Sequence, residues 1–207
     1  MALQKNQIVQ TALNLLDRDG LEGVTLRRLA TELNIKAASI YWHIPSKEIL
    51  LDEMANAILE AHFAAFDFEN DQRDWAEWLD TLAHELRKAM LTRREGARVV
   101  AGAHPDVAVL RLWDMTLRVL HHNGFSYRAA ATIIVTLINF TFGSVIEEQS
   151  SPPLSPPPAR YMESAASALT SFPALEAVMD EWAEDDNDRR FDAGVRIIIN
   201  GVRAEER

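Results

Sequence analysis

Between residues 25 and 47 the chain concentrates side chains suited to gripping a polyanion. Arg27, Lys36, Tyr41, His43 and Lys47 recur there among the small or hydroxylated Thr25, Ala37 and Ser39. A guanidinium fork pairs with a phosphate or a base edge. A phenol meets a phosphate oxygen or a thymine methyl, and an imidazole donates to phosphate in either tautomer. Lys47 is expected in the first turn of a helix, where amide donors and the helix dipole already favour an anion. A phosphate partner would account for a cation at that point. Ala37 and Ser39 are small, as a helix lying close to a groove floor requires. Plainer roles stay open for each: Tyr41 as a capping core residue, His43 as a ring stabilising a turn, Arg27 in a surface ion pair. Trp42 reads as core rather than contact.

Catalytic chemistry has little to stand on. The chain has no cysteine, which removes disulfides, thiolate nucleophiles and thiolate metal sites. No Glu-x-x-His occurs, so the paired carboxylate-histidine ligands of a di-iron bundle are missing. The His121–His122 and Glu147–Glu148 pairs lack that spacing. The glycines form neither a phosphate-binding loop nor a Gly-x-Ser-x-Gly elbow. No enzyme, cofactor or metal site is expected.

Helices must position these groups, because apolar residues recur at three- and four-residue steps almost throughout. Ile8, Ala12, Leu15 and Leu16 stripe a first helix. Gly20 and Gly23 punctuate, and Thr25 can cap a short helix reaching Leu33. Asn34 tolerates a left-handed turn, and a third short helix follows over 36–42. Leu29, Ala30, Leu33, Ile35 and Ile40 would pack this unit. Pro45 and Ser46 open a fourth helix to Phe63, with Ile49, Leu50, Met54, Ile58 and Leu59 inward. Further helices are expected over about 74–92 and 95–100, and then over a segment capped by Asp106 with Val107, Leu110, Trp113, Leu117 and Leu120 on one face. A long apolar helix is expected over 126–149. Five prolines between 152 and 158 make a stiff connector. Two last helices cover 162–182, interrupted near Pro173, and 189–202. The fold class is all-α, with nine or ten helices.

Charge is distributed unevenly. Residues 1–47 hold six basic and four acidic side chains, while the whole chain carries a formal charge of −10. An acidic body with a basic head can bind a polyanion through the head alone. No uninterrupted apolar run spans the roughly 20 residues of a bilayer crossing, and no secretion signal is evident at the N-terminus. A cytoplasmic protein without a membrane partner is expected.

Three short helices with a tight turn before the third are the plan of a helix-turn-helix DNA reader. The segment TLRRLATELNIKAASIYWHIPSKEILL resembles the DNA-binding domain of TetR-family transcriptional repressors, including Tyr41-Trp42-His43 and the helix-starting Lys47. RREGARVVAGAHP, HNGFS, FTFGSVIEEQ and GVRIIINGV resemble the bodies of the tetracycline-responsive members. The resemblance implies a DNA-binding head over 1–47 and a ligand-binding and dimerisation body over 48–207. It also implies a homodimer, joined by the last long helices, on a palindromic double-stranded operator, and a small-molecule effector that releases it.

The resemblance also locates a pocket, and there this chain departs from its relatives. Positions that hold a metal-coordinating histidine, an asparagine and a second histidine in tetracycline-binding members carry Val100, Leu82 and Phe63 here. Leu86, Ala103 and Thr116 replace a phenylalanine, a threonine and a glutamine. Glu147 matches a pocket acid contributed by the partner subunit. The expected cavity is mainly apolar, with Trp78, Leu82, Leu86, Val100, Trp113, Thr116, Ile134 and Ile138 as walls and Glu147 or His104 as a polar anchor. Ordinary core packing remains open for every wall residue. A hydrophobic or amphiphilic effector fits better than a magnesium-chelated one. A helical interaction or ligand-binding module without DNA binding remains the rival, and would leave Arg27, Tyr41, His43 and Lys47 without a role.

Overall fold

A computed structural model describes residues 4–63, 73–150, 171–184 and 186–205. The proline connector and the expected helix start near Met162 lie outside these residues. Among them run ten α-helices and no strand. The head comprises α1 (Lys5–Asp19), a 3-10 turn (Leu21–Gly23), α2 (Leu26–Glu32) and α3 (Ala37–Tyr41). The helix α4 (Lys47–Phe63) follows, then α5 (Trp75–Leu91), α6 (Gly96–Ala101), α7 (Val107–His122) and α8 (Tyr127–Ser150). The chain closes with α9 (Pro173–Glu184) and α10 (Asn187–Glu205).

Local chemistry sets the boundaries. The Thr25 hydroxyl accepts from the Arg28 amide at the start of α2, Asp74 caps α5 through two amides, and Asp106 caps α7. Each satisfies a first-turn amide that the helix itself leaves without a partner. Asn34 takes φ +53° between α2 and α3, the left-handed turn its short amide permits. Pro173 opens α9, where its missing amide donor costs nothing. The last helix begins and ends two to three residues beyond the apolar stripe, because Asp186 caps it through the Arg189 amide.

Two apolar clusters organise the chain. The first joins Ile8, Leu13 and Leu16 of α1, Leu29 and Ile40 of the head, Leu50, Met54 and Ile58 of α4, Leu86 and Met90 of α5, and Val99 and Val100 of α6. Head and lower body therefore share one core. The second cluster packs α5 against α8 and α10, through Trp75, Leu79, Ile134, Leu137, Phe191 and Val195. Beside it Arg87 is buried, bonding Glu148 of α8 and Asp188 of α10 at 2.9 and 2.7 Å. Its guanidinium lies 5.1 Å from the centre of the Phe191 ring.

Several expectations fail. Ile49 is exposed on α4, not inward, since Leu50 and Met54 already define the buried stripe. Leu33 and Ile35, by contrast, pack on the head core as expected, each half-buried. On α7 the expected stripe is wrong at Val107, Leu110 and Trp113, all exposed, and only Thr116 and Leu120 are buried. The first turns of α7 overhang a cavity instead of a core. The apolar surplus expected on the last helix is visible, with Ile197 72% exposed. Along α8, polar residues hid an 18-residue window with a mean hydropathy of 1.9, apolar enough for a bilayer crossing. Its Thr132, Thr136 and Thr141 hydroxyls bond carbonyls one turn back, which spares them other partners. The helix packs on α5, α6, α7 and α10.

One contact between α5 and α10 is titratable. His84 bonds Asp192 of α10 at 2.8 Å and the Asp80 carbonyl at 2.8 Å, with its ring edge-on to Phe191. Partial burial pushes its pKa down, yet the bonds to Asp192 and Asp80 win and hold it above its ordinary value. A raised folded-state pKa stabilises at low pH, and the gain disappears as pH rises through that value. Thermal unfolding of wild type and His84→Gln should therefore diverge most at mildly acid pH and converge above the histidine range.

Candidate functional site

The surface of α3 is laid out by its buried side. Ile40 and Ile44 are fully buried, and the Ile44 amide bonds the Ile40 carbonyl at 2.8 Å, closing the helix against the head core. Lys36, Ser39, Tyr41, Trp42 and His43 are consequently exposed and Ala37 half-buried. Tyr41 is half exposed, so it is no capping core residue. Trp42 corrects the sequence reading outright: it is 89% exposed, because the helix turns its ring away from Ile40. An indole in water between a phenol and an imidazole enlarges the contact surface.

Cations flank this patch. Arg28 is tied to Asp19 at 2.5 Å, and Arg18 bridges Asp19 and Glu32. Arg27, Lys36 and Lys47 make no ion pair with any described residue, and all three are exposed. At the start of α4 the Ser46 hydroxyl takes the Ile49 amide and Lys47 is left on the outer face. Thr25, half-buried, caps α2 as described. Ser39 and Tyr41 thus lie exposed on α3, Lys36 and His43 flank it in sequence, and Arg27 and Lys47 are exposed in the first turns of α2 and α4.

At the other end of α4 lies a cavity of about 1040 Å³ walled by α4 to α8. Its floor is apolar, from Leu82 and Leu86 of α5, Val100 of α6, and Ile134 and Ile138 of α8, with Phe63 and Ala103 beside them. Thr116 is its one buried hydroxyl, bonding the Leu112 carbonyl and accepting from the Trp78 indole at 3.2 Å. Trp78 itself stands behind Thr116 and does not line the space, while Trp113 and His104 sit at the mouth. Glu147 is exposed on α8 and is not among the lining residues of this chain. The sequence reading missed a polar rim: Asn56, Glu60, Arg111 and Asn139 line the opening. They fall on the apolar helices one or two turns from the floor residues, a spacing that could have revealed them.

The two sites are mechanically close. The His104 amide bonds Asp52 of α4 at 2.9 Å, and its ring nitrogen lies 3.2 Å from the same carboxylate. Next to the cavity, His62 of α4 meets Glu85 of α5 at 2.6 Å. Burial opposes ionising Glu85, yet its bonds to Lys88 and His62 hold its pKa below the usual carboxylate value.

An exposed three-helix head and an open-mouthed cavity joined by one continuous helix are the architecture of a ligand-sensing DNA-binding regulator. Residues 8–54 match the family described as bacterial regulatory proteins, tetR family, and residues 69–205 match the tetracyclin repressor-like C-terminal domain. The class A tetracycline repressor of transposon 1721 from Escherichia coli is 34% identical over 97% of this chain and 90% of its own length. A possible TetR family regulator of Streptomyces coelicolor A3(2) superposes with a TM-score of 0.83 at 34% identity, covering 97% of this chain and 99% of its own. The S. coelicolor TetR family protein ActR, in complex with actinorhodin, gives 0.83 at 29% identity, covering 99% of both chains. The chain belongs to the TetR family of transcriptional regulators.

At Val100, Leu82 and Leu86 the deep wall of this cavity presents no side-chain oxygen or imidazole donor for a metal ion. Magnesium takes oxygen donors and retains several waters. The deep wall here presents Val100, Leu82 and Leu86, and among the described residues no three His, Asp or Glu side chains form a group that could hold a metal. The Trp78–Thr116 bond is the structural polar element of the floor. Thr116→Val removes that acceptor and should cost about 1 kcal/mol, read as a lower midpoint in urea unfolding with an unchanged slope.

Proposed function

We propose that this protein is a repressor that binds a palindromic operator as a homodimer and is released by a mainly apolar or amphiphilic small molecule. The observation that carries the reading is α4: it begins at Lys47 on the exposed patch and ends at Phe63 in the cavity wall. At 1.5 Å per residue it spans about 25 Å, a stiff rod with a DNA surface at one end and a ligand at the other. On this reading residues 1–47 are the DNA-binding head and 48–207 the ligand-binding and dimerisation body, working in the cytoplasm where the DNA is.

The DNA roles follow from side-chain chemistry. Tyr41 and Trp42 offer faces and a hydroxyl to base edges and sugar. Arg27, Lys36, His43 and Lys47 take phosphates, while Ala37 and Ser39 permit close approach and Thr25 holds the start of α2. Dimerisation uses the exposed apolar residues of α8 and α10, Val135 and Ile197 among them, and sets two heads one duplex turn apart. The effector fills the floor formed by Leu82, Leu86, Val100, Ile134 and Ile138. Phe63, Ala103, Trp113 and Thr116 complete its apolar walls, with Trp78 fixing Thr116. Its polar end meets the rim, His104 or the partner-facing Glu147. A volume at the upper end of small-molecule pockets suits a bulky, multi-ring guest. It acts only through its different affinity for the released and bound states.

Selection of duplexes from genomic fragments, followed by gel shift, tests the DNA half. Tyr41→Ala, Trp42→Ala and His43→Ala should each weaken operator binding about tenfold or more while leaving the dimer intact. Lys47→Ala should lower the salt slope of log affinity by about one unit. Unchanged affinity in all four would remove the assignment of this surface. Thermal-shift screening with and without magnesium tests the ligand half: hits should raise Tm equally in both buffers. Leu82→Arg should abolish their effect on operator release; a preserved response would put the pocket elsewhere.

A further inference from the structure

The corner between α5 and α6 is held by one side chain from a distant helix. Gln149, the penultimate residue of α8, spends its whole amide there. Its Nε2 donates to the Met90 carbonyl at 3.2 Å and the Arg93 carbonyl at 2.8 Å, and its Oε1 accepts from the Ala97 amide at 3.0 Å. Met90 lies in the last turn of α5 and Ala97 in the first turn of α6, positions whose main-chain groups lack intrahelical partners. The corner is otherwise tight. Glu95 sits at φ +53°, and a Cβ on Gly96 would collide with the Met90 carbonyl. A glutamine amide, with two donors and one acceptor, serves the Met90 carbonyl and the Ala97 amide and adds a second donor to the Arg93 carbonyl, which also accepts from the Gly96 amide at 3.0 Å.

What the corner carries is the head. Glu95 accepts from the Leu21 amide at 2.6 Å, Arg93 pairs with Asp17 at 2.6 Å, the Arg94 amide bonds Asp17, and the Arg94 guanidinium bonds the Arg18 carbonyl at 3.2 Å. Four consecutive links thus run from residues 93–95 to the end of α1 and the 3-10 turn. Their foundation is α8, a helix that also presents the dimerisation surface. A head seated on this corner is referenced to the dimer through Gln149.

We propose that Gln149 is a positioning residue for DNA binding, fixing the α5–α6 corner on α8 and so the separation of the two heads. This rests on the dimeric-repressor reading above. Nothing in the role requires Gln149 to touch DNA or ligand. Its loss lets the corner and the seated head shift relative to the partner's head, while each head keeps its own fold and its own affinity for half an operator.

The test compares the selected operator, a duplex bearing a single half-site, and operators with one or two base pairs inserted between half-sites. Gln149→Met keeps the length without hydrogen bonds, and Gln149→Glu keeps only the acceptor. Both should weaken full-operator binding about tenfold, hold half-site affinity within about twofold, and reduce the penalty of insertion, since spacing is read by a rigid pair of heads. Asp17→Asn, an exposed change on the head side of the corner, should give the same pattern even if the Gln149 variants fail to fold. Equal losses on half-site and full operator, or an unchanged spacing penalty in all variants, would overturn the proposal. A wild-type protein that selects no duplex at all would overturn the repressor reading instead, and this inference with it.

Discussion

The head's place in the molecule depends on a core it does not own. Leu50, Met54 and Ile58 of α4 lie between α1 of the head and α5 and α6 of the body in one apolar cluster. All three are nearly or fully buried. Each such side chain contributes on the order of 1.5–3 kcal/mol on burial, so separating head from body would expose more apolar surface than a small domain can lose. A flexible linker between DNA-binding and sensing parts is thereby replaced by a shared interior. Packed interiors move between discrete arrangements rather than bending continuously. A change at the cavity therefore reaches the head as a displacement of packed helices.

Polar groups then decide where that displacement is permitted. Around the short α6, one end is held by Gln149 and Glu95, while the other runs into Gly102, Ala103 and His104 at the cavity mouth. The first end is fully bonded to three elements. The second packs on α4 through Val99 and Val100, and its polar link to that helix is Asp52 with His104, a pair largely open to solvent on the histidine side. Exposed pairs of this kind are weak and screened by salt.

Much of this was legible in the sequence, and the failures have a common cause. Caps at Thr25 and Asp106 and the left-handed Asn34 are local features, written in residue type. The apolar floor at Leu82 and Val100 was also readable, because the family resemblance places polar ligands at those two positions. Trp42, Ile49 and the Val107–Leu110–Trp113 face were misread because hydrophobicity alone cannot separate a core stripe from a contact patch or a cavity lip. The polar rim at Asn56, Glu60, Arg111 and Asn139 escaped for the opposite reason: on an exposed helix face such residues look like ordinary solvated surface. Gln149 was invisible, since its partners are backbone atoms more than fifty residues away.

The rim and floor together constrain what can act as a signal. A guest shifts the balance between two arrangements of the body only by the difference in its affinity for them. On the proposed reading, His104, Asn56 and Arg111, which line the cavity from the α6–α7 turn, α4 and α7, would supply contacts that differ between arrangements. Moving an operator-bound population from 99% to 1% takes about 5.5 kcal/mol of differential affinity. On the proposed reading, an amphiphilic effector would use the polar rim for that difference and the apolar floor for affinity.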